Sequence, residues 1–165
     1  MFVYCFFCQT NKCNQIVSLL KNNAIIHKAI YPQVVQRQRK KGENYERIFD
    51  LLPGYIFVYT NENIVESLND ITRINGVFRC IGNSESDFIL TGGDYTFAIN
   101  LYKKNGIINN ISLQNKNNKL KIIDPMFSQM NAEVSKVDYK KGRARIEYDF
   151  VGRKCYTWVS IEMLD

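Results

Sequence analysis

The chain has 165 residues, of which 45% are hydrophobic and 13% aromatic, enough apolar material to bury a core as one domain or as two small ones. A formal charge of +6 favours a polyanionic partner, because lysine and arginine gain free energy by releasing counterions from phosphate backbones. No run approaches the roughly 18 apolar residues of a membrane span, and the opening MFVYCFFCQTNK lacks the basic flank and cleavage site of a secretory signal. A cytoplasmic protein with no membrane partner is therefore expected.

Residues 2–8 (FVYCFFC) read as a buried strand. The stretch 12–22 follows as a helix, with apolar Ile16, Leu19 and Leu20 at helical spacing. AIIHKAIYP reads as a second strand ending at Pro32, and VVQRQRKKGENYERIFDLL as a hairpin or extended arm tipped by Lys-Lys-Gly. After Pro53-Gly54 comes YIFVY, the clearest strand of the chain. ENIVESLNDI suits a short helix with Ile64, Val65, Leu68 and Ile71 facing inward. NGVFRCIG is a fourth strand, and FAINLYKKNG a last short helix. This order describes a small α+β sandwich over residues 1–104, with helices packed on an antiparallel sheet. Residues 105–119 (NGIINNISLQNKNNK) turn to asparagine and lysine and read as a linker. From 120 to 165, KLKIID, AEVSKVDY, RARIEYDF and KCYTWVSIEML are short alternating strands that imply a small barrel, the simplest way to remove sheet edges at this size.

The five cysteines suit reduced thiols. Cys5 and Cys8 have a ligand-like spacing, but a strand sends them to opposite faces and no second pair follows, so no metal is expected. His27, the single histidine, lies in an apolar strand and reads as structural; Gly92-Gly93-Asp94 reads as a turn and nothing more specific. With no phosphate-binding loop and no paired carboxylates, no catalytic residue or cofactor is expected, and the chain is not read as an enzyme.

In YIFVY, Ile56 and Val58 face the helices while Tyr55, Phe57 and Tyr59 take the other face. That aromatic face is either a partner surface or buried beneath the rest of the chain. Arg37, Arg39, Lys40 and Lys41 read as a solvated arm. A second basic cluster, Lys136, Lys140, Lys141, Arg143, Arg145, Arg153 and Lys154, is interleaved with Tyr139, Tyr148 and Tyr156. Cations for phosphates beside rings that stack on unpaired bases are the chemistry of a single-stranded or hairpin RNA surface.

Tyr4, the run Leu52-Pro53-Gly54-Tyr55-Ile56-Phe57-Val58, and Gly76-Val77 followed by Ile81-Gly82 resemble the amino-terminal (NGN) domain of NusG-type transcription factors. The tail from KLKIIDPMF to VSIEML resembles their KOW barrel. Within the family, GGDYTFAINLY and the final strands look most like the specialised antiterminators of long biosynthetic operons, the LoaP group. The resemblance implies an NGN domain that grips the RNA polymerase clamp through Phe7, Tyr55, Phe57 and Ile81, with Lys12 and Arg73 near exposed non-template DNA. It also implies a five-stranded KOW barrel that holds a second partner, for which the basic cluster favours a nascent RNA hairpin. The chain is expected to work as a monomer. Departures from the family pattern are Pro125-Met126-Phe127 and Ala132 where glycines are usual, with Asn131 suited to a left-handed backbone. No histidine-threonine motif appears at Glu66-Ser67-Leu68. A housekeeping elongation factor that couples polymerase to ribosome or termination factor, and a ribosome-associated RNA-binding protein, are the alternatives.

Overall fold

Strict alternation along β1 (Phe2–Cys8) and β5 (Tyr55–Thr60) divides their side chains between two faces, and each face acquires its own cover. A computed structural model describes residues 1–165. In it these strands pair antiparallel at the centre of a four-stranded sheet, flanked by β2 (Lys28–Ile30) and β6 (Val77–Ile81) in the order β2-β5-β1-β6. Tyr4, Phe6, Cys8, Ile56 and Val58 bury the inner face against α1 (Cys13–Leu20) and α2 (Leu68–Thr72). Ile64, Leu68 and Ile71 point inward as expected, whereas Val65 is exposed, because it opens a 3-10 turn whose tighter winding rotates it outward. The Tyr4 hydroxyl fixes this turn by accepting the Ile64 N–H at 3.0 Å.

Residues 33–50 form the expected arm, β3 (Gln33–Lys40) paired with β4 (Glu43–Asp50). Its tip is a two-residue turn with Lys41 and Gly42 both at positive φ (52° and 81°), the geometry that matches strand twist. The last helix of this half, α3 (Gly92–Lys103), begins earlier than expected, at the Gly-Gly-Asp read as a bare turn. Two glycines are poor helix formers, which conceals the helix start in the sequence.

The stretch 105–119 is not a linker. It carries β7 (Ile107–Ile108), parallel to β3, and β8 (Ile111–Lys116), separated only by Asn109 and Asn110. Ile108, Ile111 and Leu113 are buried. The asparagines that suggest a linker occupy turns instead: Asn105, Asn117 and Asn118 all take positive φ, which asparagine tolerates. β8 then joins β9 (Lys119–Ile122), β10 (Glu133–Asp138), β11 (Arg143–Phe150) and β12 (Arg153–Leu164) in a curled five-stranded sheet of order β10-β11-β12-β8-β9. The β12–β8 pairing is parallel. The expected α+β sandwich joined to a small five-stranded barrel is therefore present, with its fifth strand drawn from the stretch read as a linker.

The barrel is not separate from the sandwich. Ala144, Ile146, Tyr148 and Phe150 on β11 share one continuous core with Val3, Cys5, Phe57, Tyr59 and Ile81 on the outer face of the first sheet, and with Phe97, Ala98 and Leu101 of α3. Phe97 sits at its centre, with ring centroids 6.2 Å from Phe57, 5.9 Å from Phe127, 5.9 Å from Tyr148 and 5.8 Å from Phe150. No helix is long and apolar enough to cross a membrane. Truncation of Phe97 to alanine leaves a cavity touching both halves, and urea denaturation is expected to show a loss of about 3–5 kcal/mol. A loss below about 1 kcal/mol would mean that the shared core is not what joins the halves.

Candidate functional site

A row of rings runs across the outer face of the first sheet: Phe78 on β6, Phe7 on β1, Tyr55 on β5 and Phe150 on the barrel. Successive centroids lie 5.5, 5.2 and 6.0 Å apart. Phe57 is fully buried beneath Phe150 at 5.5 Å, and Ile81 is buried as well, while Phe7 and Tyr55 are half-buried. Of the two readings of the aromatic face, burial beneath the rest of the chain describes Phe57 and Tyr59. An open margin remains at Phe7, Tyr55 and Phe78, the last 60% exposed. Sequence alternation does not single out Phe78. A register shift between Phe7 and Cys8 in the β1–β6 pairing lets β6 place both Phe78 and Ile81 on the outer face, three residues apart, where plain alternation would separate them.

Specific polar and steric features seat the barrel on this face. Gly93, in the first turn of α3, has no room for a side chain: a Cβ there would collide with the Gln129 carbonyl oxygen, a backbone atom of the barrel. Beside it, Asp94 Oδ1 accepts the Val151 N–H at 3.0 Å from the β11–β12 turn. Burial pushes the Asp94 carboxyl above its usual range, and the Val151 hydrogen bond opposes that shift in part. Ser160, buried on β12, takes the place of a neighbouring strand along β3: its hydroxyl accepts the Arg37 N–H at 3.0 Å and donates to the Val35 carbonyl at 3.3 Å. Arg153 Nη1 donates to the Tyr55 hydroxyl at 3.4 Å, so a cation expected to bind RNA meets a ring expected to bind polymerase. Against these contacts, the Tyr148 hydroxyl is buried with no hydrogen-bond partner in the protein. Tyr148 is thus a core residue and not one of the interleaved surface rings.

The other rings of the basic cluster do face solvent, Tyr139 at 72% and Tyr156 at 61% exposure. Arg145 lies over Tyr156 at 4.1 Å and pairs with Glu147 at 3.6 Å; Arg143 lies over Trp158 at 4.8 Å and pairs with Asp138 at 3.8 Å. Lys154 pairs with Asp149 at 3.7 Å. Lys136 and Lys140 are exposed, and Lys141, half-buried, donates its backbone N–H to Asp138 at 3.1 Å. On the other half, the stem of Lys12 packs against Gly76, three residues beyond Arg73, which is exposed and reaches Asp70 at 4.0 Å. Lys12 and Arg73 therefore lie close together at the junction of α2 and β6.

Cys5 and Cys8 do face opposite sides, Cys5 in the shared core and Cys8 in the inner one. Burial raises Cys8 and Cys80 to about 12 and Cys5 well above its usual value, which keeps these thiols protonated. His27 is not inside an apolar strand: it lies exposed just before β2, 2.7 Å from the Tyr102 hydroxyl and stacked on that ring. Asn131 takes the left-handed backbone expected of it, with φ of 49°.

A sandwich whose aromatic sheet face is closed by a small curled barrel makes a two-part molecule. The family model described as "Transcription termination factor nusG" matches residues 2–93, just over half of the chain, which belongs to the NusG family of transcription factors. The solved structure titled "Domain interaction in Thermotoga maritima NusG" is similar across 96% of this chain and 93% of that one, with a TM-score of 0.56 and 14% identity, a likeness of fold. No curated protein matches the chain.

Replacement of Gly93 by alanine separates docking from folding. Alanine favours the helix by up to about 1 kcal/mol, yet its methyl group collides with the Gln129 carbonyl. Trp158, the single tryptophan, lines a concavity of about 430 Å³ between the arm and β12 with Leu51, Leu52 and Tyr55, so its emission reports docking. The expected result is red-shifted emission and faster proteolysis at residues 104–110 with unchanged helix content. Emission and cleavage like those of the wild type would show that Gly93 does not set the fit.

Proposed function

We propose that the chain is a cytoplasmic, non-enzymatic antitermination and elongation factor. In this reading the sandwich grips the RNA polymerase clamp through Phe7, Tyr55, Phe57 and Ile81, extended by Phe78. The barrel reads a nascent RNA hairpin with Lys136, Lys140, Lys141, Arg143, Arg145, Arg153 and Lys154, as in the specialised LoaP group. Lys12 and Arg73 serve non-template DNA. The carrying observation is the aromatic row that begins in solvent at Phe78 and continues beneath the barrel to Phe57. A face already apolar and partly open is suited to exchange one apolar cover for another.

On this reading sandwich and barrel act as two domains, and the barrel lifts about residues 104–110 when polymerase takes the face. By stabilising a closed clamp, a bound factor shifts polymerase away from paused states without any chemical step. The housekeeping reading shares the polymerase contact and differs in the barrel's partner. The density of cations on the barrel favours RNA.

Affinity for purified RNA polymerase tests the first contact. Tyr55→Ala and Phe78→Ala are each expected to weaken binding by about 1–3 kcal/mol, the range of aromatic anchors. Gly93→Ala is expected to strengthen it by removing the competing cover. If the wild type and Gly93→Ala both fail to bind polymerase while RNA binding persists, the ribosome-associated alternative takes its place.

A further inference from the structure

We propose that the β3–β4 arm and the β10–β11 turn of the docked barrel together form one RNA-binding surface, so that RNA binds the docked form more tightly than either half alone and holds the barrel in place. This rests on the reading of the barrel as an RNA-binding unit. The two elements come from different halves of the chain, and the docking contacts bring them together. The Arg37 guanidinium lies against Gly142, where a Cβ would be 3.0 Å from Arg37 Nη1, and Arg143 Nη1 donates to Gln36 Oε1 at 3.4 Å. Gly142 is flanked by Lys140 and Lys141 on one side and Arg143 on the other, while Arg39, Lys40 and Lys41 continue from Arg37 to the arm tip.

Charge makes this junction unusual. Arg37, Arg39, Lys40, Lys41, Lys140 and Lys141 make no ion pair within 4.0 Å. Glu46 and Glu43 stand opposite Arg37 and Lys40 in the β3–β4 register without closing a bridge, and Asp138 is occupied by Arg143 and the Lys141 N–H. Docking therefore sets two segments of net positive charge beside each other, a repulsion that a polyanion spanning both would relieve. Exposed rings lie at both ends of the junction: Tyr139 next to Lys140, and Tyr45 lining an open concavity of about 420 Å³ at the arm tip with Lys40 and Lys41. Rings beside phosphate-binding cations suit unpaired bases, which favours single-stranded or looped RNA over a duplex. A ligand that touches both halves binds the docked form better and shifts the population toward it. Polymerase, which takes the face beneath the barrel, then competes with RNA held across the junction and leaves the RNA on the barrel's own cations.

The test titrates the full-length chain with a fluorescein-labelled RNA stem-loop at several salt concentrations. The arm pair Arg39→Ala/Lys40→Ala is exposed and leaves the docking interactions intact; the turn pair is Lys140→Ala/Lys141→Ala. Each pair is expected to weaken binding several-fold and to lower the slope of log affinity against log salt by about one to two units, at about 0.7 for each phosphate no longer neutralised. In the Gly93→Ala background the arm pair is expected to have no further effect, because the arm no longer stands beside the turn. If the arm pair leaves affinity and slope at wild-type values while the turn pair lowers both, the barrel binds RNA alone: the shared surface is overturned and the RNA-binding reading stands. Absence of RNA binding by the wild type at low salt overturns that reading itself. Tighter binding to duplex DNA of equal length overturns RNA as the occupant.

Discussion

The apposition of Phe57 and Phe97 with Phe150 of the barrel is the interaction on which the rest of the structure depends. It joins the outer face of the first sheet, the last helix and the open end of the barrel into one core. Without it, the sheet would present a full aromatic face to water and the curled sheet would lose the cover over Tyr148 and Phe150. Each half thus solves the other's burial problem.

Magnitudes indicate how firm the closure is. Burial of a large apolar side chain contributes about 1.5–3 kcal/mol, so several rings at the junction outweigh the polar contacts, each worth about 0.5–1.5 kcal/mol net. The unpartnered Tyr148 hydroxyl offsets about 1–3 kcal/mol of that gain. Closure is chiefly apolar and non-directional. On the proposed reading, a partner with comparable apolar surface replaces the barrel without reproducing its hydrogen bonds. The Ser160 and Asp94 hydrogen bonds set where the barrel sits more than how strongly it is held.

Much of this is legible in the sequence because period-two alternation is unambiguous in FVYCFFC and YIFVY, and both strands fall on the faces assigned to them. The presence of both a sandwich and a barrel is legible from the change of pattern along the chain, though the barrel's first strand begins at Ile111, ahead of that change. What escapes is long-range. Asparagine turns disguise β7 and β8 as a linker, since composition does not reveal that Ile108 and Ile111 have distant partners on β3 and β12. The Gly92-Gly93-Asp94 run looks like punctuation, because the use of Gly93 is set by Gln129, which the chain reaches only after folding. Phe78 is hidden by a register shift, and Ser160 by a mixed strand in which its hydroxyl gives no hint of its backbone partners. The basic cluster is legible as charge, but which of its cations are paired (Arg143, Arg145 and Lys154) depends on Asp138, Glu147 and Asp149, which alternation alone does not assign.

On the proposed reading the barrel is an exchangeable cover over the face that polymerase would take. Electron-spin distance measurement tests it directly, with labels at Asn44→Cys on the arm and Lys121→Cys on the barrel, both exposed, in a background with Cys80 and Cys155 replaced by serine. The free factor should give one narrow distance distribution, which lengthens and broadens when RNA polymerase is added at saturation. A polymerase-bound factor whose distribution stays narrow and unshifted would contradict the account, since polymerase would then be held without the covered face being released.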